Sequence, residues 1–116
     1  MKEINQIWET YTSCWSEDNS VERIKNLRKI MTDNFEYLDP NVELKGYEQL
    51  SEYMSQFQKE FVGASFTITD IKIHHGRSLT HWNMVNSENE VVGNGSDFAT
   101  YENGKLKQIT SFFKEN

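Results

Sequence analysis

The chain has 116 residues, with 12 basic against 18 acidic side chains and a formal net charge of −6. That length fits one domain, residues 1–116, and the absence of any basic run or patch excludes nucleic acid as the expected main partner. A chain of this size buries roughly two thirds of its unfolded surface and needs no disulfide or metal staple. The single cysteine, Cys14, allows no internal disulfide and fits a reducing compartment. The first residues lack the apolar stretch of a signal peptide and no apolar run reaches membrane-span length, so a soluble, cytoplasmic protein without membrane contact is expected.

The predicted elements begin with helices. Ile4, Trp8, Tyr11 and Trp15 recur at spacings of four, three and four, one face of a first helix. A polar break over Ser16–Ser20 follows. Asn19 with Glu22 three residues on resembles a capping box that opens a second helix, carrying Val21, Ile24, Leu27 or Arg28, and Met31 on one side and ending near Thr32–Asn34. Phe35–Leu38 is a short strand candidate stopped by Asp39-Pro40, because proline lacks a donor and restricts its predecessor. Gly46 precedes a third helix with the clearest amphipathic stripe in the chain, Tyr47, Leu50, Met54, Phe57 and Phe61, closed by Val62-Gly63.

Beyond Gly63 the period becomes two. Phe66 and Ile68 share one parity, Ile71 and Ile73 the other, which predicts a bulge near Thr69-Asp70 that bends the sheet. A turn over His74–Arg77 leads to a strand from Ser78 to Asn86, then a turn over Ser87–Glu90. The next strand, Val91–Glu102, is interrupted by Gly93 and Gly95, a sign of curvature. Asn103-Gly104 is a hairpin turn signal before a last strand, Lys105–Phe113. Helices followed by meandering strands indicate α+β: three N-terminal helices packed on a curved antiparallel sheet that forms a cone with one pocket.

The stretch Gly93–Tyr101 carries the main chemical signal. Asp97 shares strand parity with Ala99 and Tyr101, so if that face is covered a carboxylate is directed toward the core. A buried acid must be paired, protonated or lining a polar hollow. Pairing with Arg77 or a lysine on a neighbouring strand is the structural alternative to an acid–base role. Asp39 before proline is as readily a turn former as a catalytic group. Tyr11 and Tyr37 are hydroxyl donors that suit an oxyanion or, for Tyr37 first, a core position. His75 shares parity with Ile71 and Ile73 and is the histidine expected to face inward, while His74 faces water. His81 shares parity with Leu79 and Asn83. The histidines lack metal-ligand spacing, and Gly93 and Gly95 open no helix, so no cofactor loop is expected. Trp15, Met54, Phe57, Trp82, Ala99, Tyr101 and Phe112, with Tyr37, are expected to line the pocket; Phe98 faces the opposite side of the sheet.

Nearly the whole chain resembles the SnoaL-like family of the nuclear-transport-factor-like (cystatin-like α+β) superfamily. The resemblance rests on Phe35–Pro40, on Gly46-Tyr47-Glu48-Gln49-Leu50 opening the long helix, on Trp82, on Gly95-Ser96-Asp97-Phe98, on Gly104-Lys105 and on Phe112-Phe113. It implies a pocket between sheet and helices, and a cofactor-independent isomerase, lyase, dehydratase or polyketide-cyclase-like activity on a small, apolar, carbonyl-bearing molecule. In the superfamily's isomerases a tyrosine on the first helix, an acid before a proline and an acid on a late strand carry the chemistry; Tyr11, Asp39 and Asp97 match these in kind. Either acid could be the base, and in cyclases the late-strand acid leads, with His75 assisting here. The resemblance also implies a homodimer through the outer sheet face. The same fold serves noncatalytic ligand-binding or dimerising domains, which stand as the alternative.

Overall fold

The structure is a computed structural model and describes residues 3–113. Helix α1 spans Ile4–Cys14 and buries Ile7, Trp8, Tyr11 and Cys14; its C-cap is Trp15. Helix α2, Ser20–Ile30, begins where Asn19 Oδ1 accepts from the amides of Val21 and Glu22 at 3.0 and 3.1 Å. The expected box is half formed, because the Asn19 amide is taken by the Glu17 carboxylate at 3.1 Å. Its buried residues are Arg23, Leu27 and Ile30; of the predicted stripe Leu27 and Met31 are buried, Ile24 packs partly against the core, and Val21 is exposed. The reason is Arg23. Its guanidinium donates to the Ser51 carbonyl at 2.7 Å, the Ser51 and Ser55 hydroxyls at 2.9 and 2.7 Å, and the Glu17 carbonyl, so the charged side chain ties α2 to the third helix and rotates α2 about its axis.

The helix passes without a loop into β1, Met31–Leu38, four residues earlier than the sequence suggests. A short β2, Glu43–Lys45, then leads into α3, Gly46–Glu60, whose buried residues are Tyr47, Leu50, Ser51 and Met54. The hairpin strands are β3 (Ser65–His74), β4 (Arg77–Val85), β5 (Val91–Glu102) and β6 (Lys105–Phe113). The predicted turn over His74–Arg77 and the predicted Asn103-Gly104 hairpin turn both form, with positive φ at His75 and Gly76 (50° and 71°) and at Asn103 and Gly104 (53° and 79°). Those angles suit the right-handed twist of the joined strands.

The sheet order is β2-β1-β6-β5-β4-β3. The α+β class with helices on one side holds, but the sheet is mixed: β1 runs parallel to β6, and every other neighbouring pair is antiparallel. The crossover through α3 and the β3–β5 meander returns β6 beside β1 in the same direction. Register slips occur at Met31/Glu36, Ile68/Asp70, Met84/Val85 and Thr100/Tyr101. The second is the bulge that the change of parity in β3 predicts, and it puts Phe66, Ile68 and Ile71 on one face, opposite Met84, Trp82 and Thr80. Each slip adds bend and twist, so the sheet curls around α1 and α3 without closing.

The core between helices and sheet contains Trp8, Leu27, Phe35, Leu50, Met54, Leu106 and Ile109, all fully buried. At one end of the curl Trp8 Nε1 donates to the Tyr101 hydroxyl at 2.9 Å, and that hydroxyl lies 2.6 Å from Ser78 Oγ, which shuts the sheet against α1. The opposite end stays open. On the outer face Leu79, Phe98 and Phe112 are exposed. Among the described residues no helix is long and apolar enough to cross a membrane.

Arg23→Ala is expected to lower stability by about 2–4 kcal/mol, because it removes a buried guanidinium that ties α2 to α3 and leaves the buried Ser51 acceptors without their donor. Lysine should restore a minor part, having no planar fork; urea unfolding of both variants measures this.

Candidate active site

The open end of the curl is a cavity of about 1110 Å³ between α1, α3 and the concave face of β3–β6. Its wall is aromatic. Trp15 stands at its centre, with ring centroids of Tyr37, Tyr53, Phe57 and Phe66 5.3–6.1 Å away. Trp82 packs edge to face on Phe66 at 5.1 Å and contacts Phe113 at 6.2 Å. Trp15 sits at the helix end because the α1 stripe carries it there; Trp82 reaches the hollow because β4 alternation points it inward.

Asp97 lies on the cavity wall and is 4% exposed. Its Oδ1 accepts from Trp82 Nε1 at 2.9 Å and from the Ser111 hydroxyl at 2.6 Å. No hydrogen bond from a described residue reaches Oδ2. Burial pushes the Asp97 carboxyl from 3.8 up to about 6, Ser111 and Trp82 pull it down, and Asp39 adds a smaller rise. Desolvation therefore outweighs two good donors. The pairing with Arg77 or lysine weighed from the sequence is absent among the described residues. Directly opposite Asp97 on β4 stands Thr80, whose buried hydroxyl lacks a partner there.

Asp39 faces the same cavity from the turn after β1. Its Oδ1 accepts from the amides of Asn41 and Val42 at 2.8 and 3.1 Å, the turn-forming role expected of an acid before proline. Its Oδ2 accepts from the Tyr37 and Tyr53 hydroxyls, each at 2.8 Å. Four donors fill the carboxylate's four lone-pair positions. Both phenols are raised by burial first, and further by Asp39. Tyr11 also lines the cavity; burial raises its phenol well above the ordinary range, Asp97 adds to this and the Trp15 indole offsets part. Unlike Tyr37 and Tyr53, Tyr11 donates to no carboxylate.

Tyr11, Asp39 and Asp97 thus meet at one hollow, with Trp15, Tyr37, Phe57 and Trp82 around them. Five expected positions fall elsewhere. His75 occupies the exposed β3–β4 turn with φ of 50°, so it cannot face the cavity; its ring nitrogen lies 3.0 Å from that of His74. Met54 is fully buried in the core and does not line the cavity. Ala99 and Tyr101 do point inward, but Ala99 is packed in the core and Tyr101 joins Trp8 at the closed end. Phe112 points outward and is 60% exposed. The Asn103-Gly104 hairpin alone would set Phe112 opposite Gly95 and Thr110 opposite Asp97. The slip at Thr100/Tyr101 moves the pairing by one, so Phe112 faces Ser96 and Ser111 faces Asp97. One inserted residue reverses every later side chain on β6, and Phe113 takes the inward place.

Sequence reasoning missed Tyr53, Ser111, Phe66 as cavity wall, and Phe113. Tyr53 carried a signal, lying three residues after Leu50 and four before Phe57 on the α3 stripe. Ser111 carried none without the bulge. Among the described residues no group of three His, Cys, Asp or Glu side chains is placed to hold a metal ion.

A methyl group at Gly95 would overlap the Trp82 ring and come within 2.7 Å of the Phe112 carbonyl. The indole that donates to Asp97 therefore lies over this glycine. Gly95→Ala is expected to cost about 1–3 kcal/mol by overpacking and to displace Trp82, measured by urea unfolding and by tryptophan emission. The Asp97 carboxyl, raised in the fold, binds its proton more tightly than in the unfolded chain. Its stabilising contribution is complete below about pH 4 and is lost as pH rises through about 6. Asp97→Asn escapes that loss, so its stability relative to the parent should rise by about 2–3 kcal/mol between pH 4 and pH 8 in paired denaturation curves.

The comparisons with known proteins agree with this architecture. No curated protein sequence matches the chain. A provisionally assigned isomerase of the SnoaL-like family from Agrobacterium tumefaciens superimposes with a TM-score of 0.88 at 19% identity, covering 99% of this chain and 100% of that one. A provisionally assigned SnoaL-like polyketide cyclase from Jannaschia gives 0.70 at 14%, covering 95% and 86%. A provisionally assigned ketosteroid isomerase from Kribbella flavida gives 0.68 at 13%, covering 96% and 77%. At these identities the likeness is one of fold. The SnoaL-like domain profile matches residues 8–109, nearly the full length, and the chain belongs to the SnoaL-like family.

Proposed function

We propose that this protein is a cofactor-independent acid–base enzyme of isomerase, cyclase or dehydratase type, which moves a proton next to a carbonyl group of a small, largely apolar substrate. The observation that carries the reading is Asp97 on the aromatic cavity's wall, whose Oδ1 is pinned by two donors while Oδ2 accepts none from a described residue. A carboxyl poised at about 6 can take and return a proton near neutral pH. Two orienting bonds on one oxygen fix the direction in which the other accepts.

Asp97 is therefore the base, and Asp39 is not. Every lone-pair position of Asp39 is occupied, so it orients the Tyr37 and Tyr53 hydroxyls. Tyr11, with its hydroxyl free of either acid, is the donor that steadies the oxygen on which charge develops. Burial of Tyr11 and Asp97 strengthens both interactions. The names of the fold neighbours, isomerase and polyketide cyclase among them, support the same reaction class by analogy of fold. The exposed Leu79, Phe98 and Phe112 make the outer face the one through which a homodimer would form.

The test is exchange of α-protons into deuterated water, followed by NMR across a panel of small ketones and β-dicarbonyl compounds. Asp97→Asn, which keeps an oxygen for Trp82 and Ser111, should lose about 10²- to 10⁴-fold in rate while still binding ligand. The parent rate should rise with pH through about 6 as the carboxyl ionises. Equal rates in parent and variant would overturn the assignment, and binding without exchange would leave the hollow as a ligand-binding site.

A further inference from the structure

The charge and hydrogen-bond polarity of the cavity carry a statement about what it holds. Its charged lining residues are Asp39, Glu60 and Asp97; among the described residues no Lys, Arg or His lines it. Tyr37 and Tyr53 give their hydroxyl protons to Asp39, so what they offer a ligand is lone pairs. Asp97 Oδ2 is a further acceptor without a partner among the described residues. Where Asp39 and Asp97 border it, the hollow thus offers acceptors, with the Tyr11 hydroxyl as the donor beside them. An anion entering it would lose its hydration and meet carboxylates with no compensating cation. A wholly apolar molecule would leave the acceptors desolvated and unpaired.

The walls point the same way. Tyr37, Tyr53 and Trp15 are mutually inclined by 48–76°, and Phe66 and Trp82 by 85°. All five rings border one space, the cavity that Asp97 also lines. That is the arrangement that attracts an organic cation, most strongly where water is excluded.

We infer that the ligand class of this cavity is a small organic cation, an amine or quaternary ammonium compound whose charged nitrogen sits among Trp15, Tyr37, Tyr53 and Trp82 and faces Asp97. This inference rests on the proposed acid–base site and narrows its substrate to a carbonyl compound that also bears a cationic nitrogen. The nitrogen anchors the molecule, and the adjacent carbon acid is presented to Asp97 Oδ2. Glu60, exposed at the mouth on the last turn of α3, adds attraction along the entrance.

The experiment is a binding comparison of three probes of matched size: benzyltrimethylammonium, its uncharged isostere neopentylbenzene, and the anion 3-phenylpropanoate. Calorimetry and the emission of Trp15 and Trp82 report binding at pH 8 in moderate salt. The cation should bind about tenfold or more tightly than the isostere, with the anion weakest. Asp97→Asn should erase most of that preference while leaving neopentylbenzene unchanged, and the surface variant Glu60→Gln, which has no core to disturb, should reduce cation affinity about two- to threefold. Equal affinity for cation and isostere, tightest binding of the anion, or no binding of the cation would overturn the inference. Proton exchange on neutral ketones without any cation preference would remove this inference and keep the acid–base reading; cation preference without exchange would do the reverse.

Discussion

A carboxylate held against an aromatic wall is the constraint around which the rest of this molecule is organised. Leaving Asp97 ionised inside costs several kcal/mol without partners, and the fold compensates it with two donors from two different strands. One is an indole on β4 and the other a hydroxyl on β6. Both arrive only because β5 lies between those strands with the register it has. The Trp82 donor further requires that Gly95 carry no side chain, since the ring occupies the space a methyl group would need. A glycine, a tryptophan and a serine are thus explained by one acid.

The second acid is treated differently. Asp39 is saturated by two amides and two phenols, and the result is a rigid polar corner joining the end of β1 to α3. Two carboxylates in one hollow therefore have unlike environments. One has an open oxygen and a raised proton affinity; the other has none of its oxygen capacity left. Such separation of two acids into unlike environments is what the proposed proton transfer would require of one cavity.

The open hollow and the closed end have a common cause. Four register slips bend the sheet, and a bent sheet cannot lie flat on two helices along its whole length. Where Trp8, Tyr101 and Ser78 join, contact is complete; at the far end the helices and strands diverge and aromatic side chains line the gap. Burial of Arg23 belongs to the same picture, because it fixes α2 against α3 and so sets the width of the helical layer.

Much of this was legible in the residues alone. Helical and strand periods placed every long element, Asn103-Gly104 fixed one hairpin, the change of parity after Ile68 marked a bulge, and the face shared by Asp97 and Ala99 marked a buried acid. These are local properties, determined by backbone geometry and side-chain alternation over a few residues. Tertiary structure decided the remainder. The parallel pairing of β1 with β6, the rotation of α2 imposed by Arg23, and the slip that exchanges Phe112 for Phe113 and brings Ser111 to Asp97 all depend on contacts between distant segments. So does the exclusion of His75, whose parity pointed inward until the turn gave it a positive φ and carried it into water. Alternation says which side a residue takes relative to its neighbour; only packing across the sheet fixes where that alternation starts, where it breaks, and which end of a curled surface remains open.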